Sequence, residues 1–271
     1  MATDSGHANL LSGKRVVIFG AGGSVGAGVA TEFADQGARV WLSGRALGPV
    51  KHVEQEICRS GGTAQAAQVD GLDEIAVERY LHDVVQEHGG IDVVMNVTGP
   101  QAKDYANGTS ALDLTLEQYL LPLTTLVPSQ FITARAAARH MIRQHQGVIL
   151  FLTAVPALRG PGTSAIGSAF GAMESLLRCL TVELGPEGIR VVGIRSGPML
   201  ETRTIQQSFE NLAHRLSVPK EQVAAMQEQT SPLHSSPTVA DTARLAAFLV
   251  SDWARALTGV IVNGSSGRII D

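Results

Sequence analysis

The stretch RVVIFGAGGSVGAG, residues 15–28, decides the fold. Arg15–Gly20 is a short, mostly apolar run that predicts a buried β-strand, and Val25–Gln36 follows with the periodicity of a helix that Gly37 ends. The glycines between strand and helix allow a dinucleotide pyrophosphate to approach the backbone at the positive end of the helix dipole. The alternative is a tight strand-to-helix turn that binds no ligand.

The same alternation of short β-rich runs and helical segments continues along the chain. Further strands are predicted at Arg39–Leu42, Ala64–Val69, Ile91–Met95, Val148–Leu152, Arg190–Ile194 and Val260–Val262. Further helices are predicted at Pro49–Arg59, Leu72–His88, Thr115–Gln144, Thr163–Leu184, Glu201–Gln229 and Val239–Ser251. Pro122 and Pro128 should kink or interrupt the longest helix, and Pro219 should divide the segment 201–229. The pattern predicts an α/β protein with a doubly wound parallel sheet, the Rossmann fold, as a single domain over residues 1–271.

Composition excludes several classes of function. The net charge of the 271-residue chain is −4 and no basic face is visible, so nucleic acid is not an expected partner. No apolar run approaches the roughly 18 residues of a membrane span, and the N-terminus lacks the features of a secretion signal. We therefore expect a cytoplasmic protein in which Cys58 and Cys179 are buried free thiols. The scattered histidines form no HExxH, so no metal site is predicted.

Gly22, Gly26 and Gly28 form a GxxxGxG motif, and further motifs follow it in a characteristic order. These are Val69-Asp70, Asn96–Gly99 (NVTG), Gly188–Pro198 (GIRVVGIRSGP) and Thr258–Gly264 (TGVIVNG). Together they resemble the short-chain dehydrogenase/reductase family over nearly the whole chain. The resemblance implies a nicotinamide cofactor, a small-molecule substrate, and a homodimer or homotetramer formed through the fourth and fifth helices. It places the cofactor against Gly22, Ser24, Val25, Gly26, Gly28, Ser43, Arg45, Asp70, Asn96, Val97, Gly99 and Gly197.

The end of the second strand distinguishes between the two nicotinamide cofactors. Family members that bind NAD usually carry an acidic residue there, whereas this chain has Gly44 followed by Arg45. A guanidinium group can pair with the 2′-phosphate of NADP(H), and the hydroxyl of Ser43 could add a hydrogen bond. We therefore predict NADP(H), the alternative being that Arg45 is a solvated residue at the start of a helix.

The family's catalytic tetrad of serine, tyrosine, lysine and asparagine is missing. Segment by segment, the resemblance places these four at Ala154, Gly167, Gly171 and Leu126. No tyrosine in the chain is followed by lysine at the fourth or the seventh position, so an alignment shift does not restore the pair. Ordinary reduction of ketones, which needs that acid, is therefore not expected.

Gly167 and Gly171 lie one helical turn apart, on one face of the predicted helix. Their missing side chains should leave a void beside the nicotinamide; the alternative is close helix packing, such as at a subunit interface. Replacement hydrogen-bond donors can be nominated from nearby polar residues, namely Thr153, Ser164 and Tyr105. Each of them also has an ordinary structural explanation.

The sequence thus favours an NADP-dependent oxidoreductase acting on an activated, apolar small molecule of the enone, enoyl or imine type. Hydride transfer to an electron-poor carbon depends more on positioning than on a tyrosine. The segment 199–237 should form a lid over this substrate. Two other interpretations stay open: an inactive NADP-binding sensor or hetero-oligomer partner, and a lyase or isomerase on the same scaffold.

Overall fold

The computed structural model describes residues 9–270 and contains a seven-stranded parallel sheet with the order β3-β2-β1-β4-β5-β6-β7. The strands are β1 Arg15–Phe19, β2 Arg39–Gly44, β3 Thr63–Gln68, β4 Val93–Asn96, β5 Gly147–Ala154, β6 Ile189–Ser196 and β7 Ile261–Gly264. This confirms the predicted doubly wound α/β fold. Residues 1–8, for which no secretion signal is predicted, lie outside the described residues.

Eight α-helices of the described residues connect and cover these strands. They are α1 Ser24–Asp35, α2 Leu47–Arg59, α3 Glu74–His88, α4 Leu116–Gln144, α5 Ser164–Leu184, α6 Arg203–Leu216, α7 Lys220–Gln229 and α8 Val239–Val250. A short 3₁₀ turn, Val155–Ala157, lies between β5 and α5. Pro219 caps the start of α7, so the predicted division of segment 201–229 is confirmed.

The core has two halves, one on each face of the sheet. Successive side chains of a strand point to opposite faces. Val17 and Phe19 therefore pack with helices α3, α4 and α5, whereas Val16 and Ile18 pack with α1, α2 and α8. Covering both faces is what the continuous apolar strands predicted.

Helix α4 is continuous over 29 residues, so the expected interruption at Pro122 and Pro128 is wrong. A proline removes one backbone N–H and crowds the carbonyl one turn earlier. Here the helix begins with a capping box in which the Thr115 hydroxyl accepts from the Gln118 amide at 3.2 Å. It also packs along α3 and α5, and this tertiary burial outweighs the two missing hydrogen bonds.

One surface expectation needs correction. Cys58 and Cys179 are both exposed, because they fall on the outer faces of α2 and α5. The segment Ser164–Glu187 is long and apolar enough to cross a membrane by length and composition, although no uninterrupted apolar run is present. Core helices pass the same test, and α5 packs against α4, β5 and β6.

An ion pair fixes the amino ends of the two central strands. Arg15 donates from Nε and Nη2 to the Asp92 carboxylate at 2.8 and 2.9 Å, and the Arg15 amide donates to the same group at 2.7 Å. Burial would by itself raise the pKa of Asp92, but the hydrogen bonds and the charge of Arg15 lower it on balance. The pair joins β1 to β4 at the end of the sheet opposite the carboxyl ends of the strands.

Candidate active site

A cavity of about 780 Å³ lies along the carboxyl ends of the central strands. The connections reverse direction between β1 and β4, which is where ligands bind in doubly wound sheets. The glycine-rich turn after β1 forms one wall, together with the loop after β4. Residues from α5, α6, α7 and the C-terminal segment form the others.

The glycine-rich turn is tight because side chains are excluded from it. A Cβ atom on Gly20 would lie 2.8 Å from the backbone nitrogen of Thr98, and Gly20 has a φ of +82°. A Cβ atom on Gly26 would overlap the carbonyl oxygen of Gly20. These contacts bring the backbone of the turn close to the loop after β4 and leave its outer surface free of side chains.

The N-terminus of α1 opens onto this cavity with its backbone amides available. Gly23 is the N-cap and has no side chain to hydrogen-bond to the first turn, and that turn contains no acidic residue. Ser24, Val25 and Gly26 all line the cavity. Free amides and the positive end of the helix dipole together suit an anion such as a pyrophosphate, so the residues present fit a dinucleotide cofactor.

The structure separates the residues predicted to bind the cofactor into two groups. Those that line the cavity are Ser24, Val25, Gly26, Asn96, Val97, Gly99 and Gly197. Gly22 and Gly28 do not line it, and their missing side chains serve packing instead. A Cβ on Gly22 would lie 2.9 Å from that of Pro49, and one on Gly28 would overlap Val239 of α8.

Ser43, Arg45 and Asp70 also lie outside the cavity lining. The Ser43 carbonyl accepts hydrogen bonds from the Gly20 and Ala21 amides at 2.9 and 3.0 Å. Its side chain is fully buried, and the hydroxyl has no hydrogen-bond partner among residues 9–270. Arg45 is exposed, and its guanidinium forms no ion pair with another of residues 9–270. Asp70 accepts from the Leu72 amide at 3.0 Å and closes a local turn.

Asn96 fixes the loop after β4. Its side-chain oxygen accepts from the amide and the hydroxyl of Thr98, at 2.8 and 2.6 Å. Its side-chain nitrogen donates to the Thr133 hydroxyl of α4 at 3.1 Å, and the Thr98 and Ser129 hydroxyls are 3.0 Å apart. This network holds the loop and α4 in one arrangement beside the glycine-rich turn.

The four positions assigned to the tetrad are not all alike. Ala154 and Leu126 line the cavity, whereas Gly167 and Gly171 do not. A Cβ atom on Gly167 would overlap the backbone carbonyl of Pro156, in the 3₁₀ turn after β5. The expected void is therefore wrong at Gly167, since the chain's own backbone occupies that space. At Gly171 the nearest atom to a Cβ would be the Ala157 carbonyl oxygen at 3.8 Å, an ordinary contact.

Of the three nominated donors, Tyr105 is the best placed. Thr153 lines the cavity, but its hydroxyl donates to the Glu174 carboxylate at 2.9 Å. Ser164 does not line the cavity. Tyr105 lines it, and its hydroxyl forms no hydrogen bond with another residue in the range 9–270. Burial raises the pKa of the Tyr105 hydroxyl, so this group stays protonated well above neutral pH.

A buried ion pair that no local sequence motif predicts lies behind Thr153. Arg195 of β6 donates from Nε and Nη2 to the two carboxylate oxygens of Glu174 at 2.9 and 2.7 Å. Glu174 is 3% exposed and Arg195 5%. The only sign of this pair in the sequence was a charged residue among mostly apolar neighbours in each segment, Glu174 in α5 and Arg195 in β6. The pair ties α5 to β6 and directs the Thr153 hydroxyl away from the cavity.

Helices α6 and α7, within the predicted lid 199–237, form the outer wall of the cavity. They have a small apolar cluster separate from the sheet's two core halves, centred on Phe209, Ala213 and Val223. The loop after β4 is hydrogen-bonded to α6 through the Asn107 side chain, which donates to the Ser208 hydroxyl at 2.6 Å. In return, Asn211 donates to the Asn107 carbonyl at 2.8 Å.

Two arginines line the cavity and were not found from the sequence. Arg268 is 8% exposed and donates from both terminal nitrogens to the side-chain and backbone oxygens of Gln227. Arg159 donates to the Arg268 carbonyl at 3.0 Å. Neither guanidinium forms an ion pair with a carboxylate of residues 9–270. The two are 109 positions apart, and only the fold brings them together.

Comparison with known proteins identifies the family to which this fold and cavity belong. A family model described as enoyl-(acyl carrier protein) reductase matches residues 20–267. The chain belongs to the short-chain dehydrogenase/reductase family. Its relatives are oxidoreductases, as the resemblance predicted.

The relatives match over nearly their whole length. A versicolorin reductase from Emericella nidulans is 27% identical over 259 residues, which cover 95% of this chain and 96% of that protein. A Bacillus subtilis protein described as a probable 2,4-dienoyl-CoA reductase is 29% identical over 263 residues, 94% of this chain and 96% of that protein. The structure of an NAD⁺-bound xylitol dehydrogenase superposes with a TM-score of 0.88 at 25% identity, covering 95% of this chain and 99% of that one. Members of the family thus bind nicotinamide cofactors.

Proposed function

We propose that this protein is an NADP-dependent oxidoreductase that acts on an activated, apolar small molecule without the family's tyrosine–lysine acid. The observation that carries the proposal is the continuity of the cavity. One end is the free N-terminus of α1, and the other is walled by apolar side chains of Met199, Ile205, Phe209 and Leu212. A dinucleotide and an apolar substrate can therefore share one continuous space.

The chain supplies binding and positioning rather than acid strength. A nicotinamide cofactor held in the cavity would supply the hydride chemistry, toward an electron-poor carbon of the substrate. The amides of Ser24, Val25 and Gly26 would hold the pyrophosphate, and Asn96 keeps the loop after β4 in place beside these residues. The apolar walls exclude water and orient the substrate, which is a large part of what hydride transfer requires.

The choice of NADP(H) rests on Arg45. Its exposed guanidinium lies just beyond the end of β2, where no acidic residue opposes a 2′-phosphate. Because the Ser43 hydroxyl is buried, we assign the phosphate to Arg45 without it. Calorimetric titration should give a lower Kd for NADPH than for NADH, and Arg45→Ala should remove about tenfold or more of that preference. Arg59→Ala, at the exposed end of α2, is the matched control. Equal or tighter binding of NADH contradicts the assignment.

The substrate class follows from the groups available to donate a proton. Tyr105 can hydrogen-bond to a substrate oxygen, but its raised pKa makes it a weak acid. In the family's usual tetrad, a lysine next to the catalytic tyrosine lowers the pKa of that tyrosine. A substrate that forms a delocalised anion, such as an enone or enoyl thioester, or one that is already cationic, such as an iminium, needs no strong acid.

The test is turnover followed by NADPH absorbance, with enones, enoyl thioesters, imines, ketones and quinones as substrates. We expect turnover with an enone, enoyl or imine substrate and little with simple ketones. Tight NADPH binding without any turnover would favour a sensor or an inactive hetero-oligomer partner. Conversion of a substrate with no change in NADPH would favour a lyase or isomerase.

We further propose that the protein is a cytoplasmic homodimer or homotetramer and that residues 199–237 act as a lid. Exposed apolar side chains on α4 and α5, among them Phe131 and Val182, support the assembly. The separate apolar cluster of α6 and α7 supports the lid, because these helices can move with little disturbance of the sheet's core.

A further inference from the structure

We infer that the substrate carries an anionic group, a carboxylate or a phosphate, on an apolar chain, and that Arg159 and Arg268 bind this group. The inference rests on the proposed function in one respect, namely that the molecule held by these arginines is the substrate of the cavity. The site itself is argued from charge, burial and hydrogen bonding.

Among residues 9–270, neither guanidinium group has an anionic partner. The hydrogen-bond acceptors of Arg268 are the uncharged oxygens of Gln227, and that of Arg159 is the Arg268 carbonyl. The Nε of Arg268 is buried and has no hydrogen-bond partner within residues 9–270. Burying a cation without a counter-charge is costly, and an anion in the cavity would remove that cost. Burial and the charge of Arg159 both lower the pKa of Arg268.

The arrangement of the cavity gives the ligand its shape. The arginines lie with Thr230 at one place on the wall, and the apolar residues Phe209 and Leu212 of α6 lie along the same cavity. A second cavity of about 540 Å³ shares Arg159, Thr230 and Arg268, so there is space for a head group between the two. The ligand that fits has an apolar chain inside and one anionic end at the arginines.

A purely structural role accounts for only part of this. Arg268 donates to a backbone carbonyl near the C-terminal end of α7, which suits the helix dipole and ties the C-terminal segment to that helix. That structural role explains neither the charge of Arg159 beside Arg268 nor the Nε of Arg268, which has no hydrogen-bond partner within residues 9–270. The exposed position of Arg159 allows it to be changed without removing a core side chain.

The experiment measures equilibrium binding, so it does not depend on turnover. The full-length protein is saturated with NADPH, which occupies the N-terminus of α1, and is titrated with octanoate, octyl phosphate and octan-1-ol. The three probes share a chain and differ in the head group. The titrations are repeated with Arg159→Gln and with the control Arg255→Gln, whose side chain is exposed and does not line the cavity.

We expect at least one anionic probe to bind about tenfold more tightly than octan-1-ol, and Arg159→Gln to remove most of that difference. Arg255→Gln should leave it unchanged. Preference for octanoate or for octyl phosphate identifies the head group. Equal binding of charged and neutral probes, no binding of either anion, or an equal loss for all three in Arg159→Gln overturns the inference. If NADPH does not bind, that result contradicts the proposed function but not the inference. Titration of the cofactor-free protein with octanoate and octan-1-ol then tests the inference.

Discussion

At the scale of single residues, two glycines one turn apart on α5 should respond oppositely to the same substitution. Gly167→Ala places a methyl group against the Pro156 carbonyl, so the 3₁₀ turn must shift, and we expect a loss of about 1–3 kcal/mol of unfolding free energy. Gly171→Ala meets no close atom and gains helix propensity, so we expect a gain of about 0.5–1 kcal/mol. Urea denaturation of the three proteins measures both changes. Destabilisation of similar size in both variants would contradict the close contact.

Tyr105 gives a second prediction at this scale. Removing its hydroxyl with Tyr105→Phe should lower kcat on the best substrate about tenfold while leaving the Kd of NADPH unchanged, since the role proposed for the hydroxyl is to contact substrate rather than cofactor. Because burial raises its pKa, activity should not fall as pH rises through about 10, the ordinary value for tyrosine. Thr153→Val is the comparison, as that hydroxyl is already bonded to Glu174. An unchanged kcat in Tyr105→Phe removes this residue from the site.

Some features of single residues could not be predicted from the sequence. The glycines at 167 and 171 could be located by spacing, but the Pro156 carbonyl that fills the space at Gly167 belongs to another segment. Likewise, the partner of Thr153 is 21 positions away on α5 and became visible only with the fold. Side-chain identity is read from a sequence, whereas the direction of a hydroxyl is decided by its neighbours in space.

At the scale of secondary-structure elements, the Arg15–Asp92 pair between β1 and β4 should make stability depend on pH. A carboxylate whose pKa is lowered by folding stabilises the protein above its unfolded pKa, and that contribution is lost as pH falls through the folded value. Asp92→Asn should therefore cost about 1–3 kcal/mol at neutral pH, and the cost should shrink below about pH 4.

Urea denaturation between neutral and acidic pH measures the difference between Asp92→Asn and the parent protein. Asp252→Asn is the control, because its ion pair with Lys14 has an 81% exposed carboxylate and should contribute little. A difference for Asp92→Asn that stays constant as pH falls would contradict the assignment.

Helix α6 offers a prediction about the proposed lid. Asn211→Ala removes the hydrogen bond to the Asn107 carbonyl, so amides of residues 203–216 should exchange with deuterium several-fold faster while those of α4 and α5 do not change. Gln222→Ala, at an exposed position of α7, is the control. Exchange that is unaffected, or equally faster throughout the protein, would show that this contact does not hold α6 in place.

The elements themselves were largely predictable, and the exceptions have physical causes. The central strands are continuous apolar runs, so their positions followed from hydrophobicity, whereas the edge strand β3 contains two glutamines and has no buried residue. The continuity of α4 could not be predicted from hydrophobicity, because local rules place a break at Pro122 and Pro128. Packing along α3 and α5 decides the outcome instead. The glycine-rich turn was predictable since strand, turn and helix are adjacent in sequence. The Arg159–Arg268 pair was not, since no local pattern joins its two members.

At the scale of the whole molecule, the exposed apolar side chains of α4 and α5 predict self-association. Light scattering should give a mass of two or four times 28.5 kDa. Phe131→Glu introduces a charge on α4 where the parent has a 41% exposed ring, and it should lower that mass. Trp253→Glu changes an aromatic residue that is 74% exposed but outside both helices, and should leave the mass unchanged. A monomeric parent protein would contradict the proposed assembly.

The contact between Gly167 and the Pro156 carbonyl also constrains how this sequence can change over generations. A larger residue at position 167 is unfavourable until the turn 155–157 has moved. That turn in turn gains nothing by moving while position 167 is glycine. A larger residue is a disadvantage without the moved turn, and a moved turn brings no gain without the larger residue, so a mutational path toward a tyrosine here requires two coupled changes.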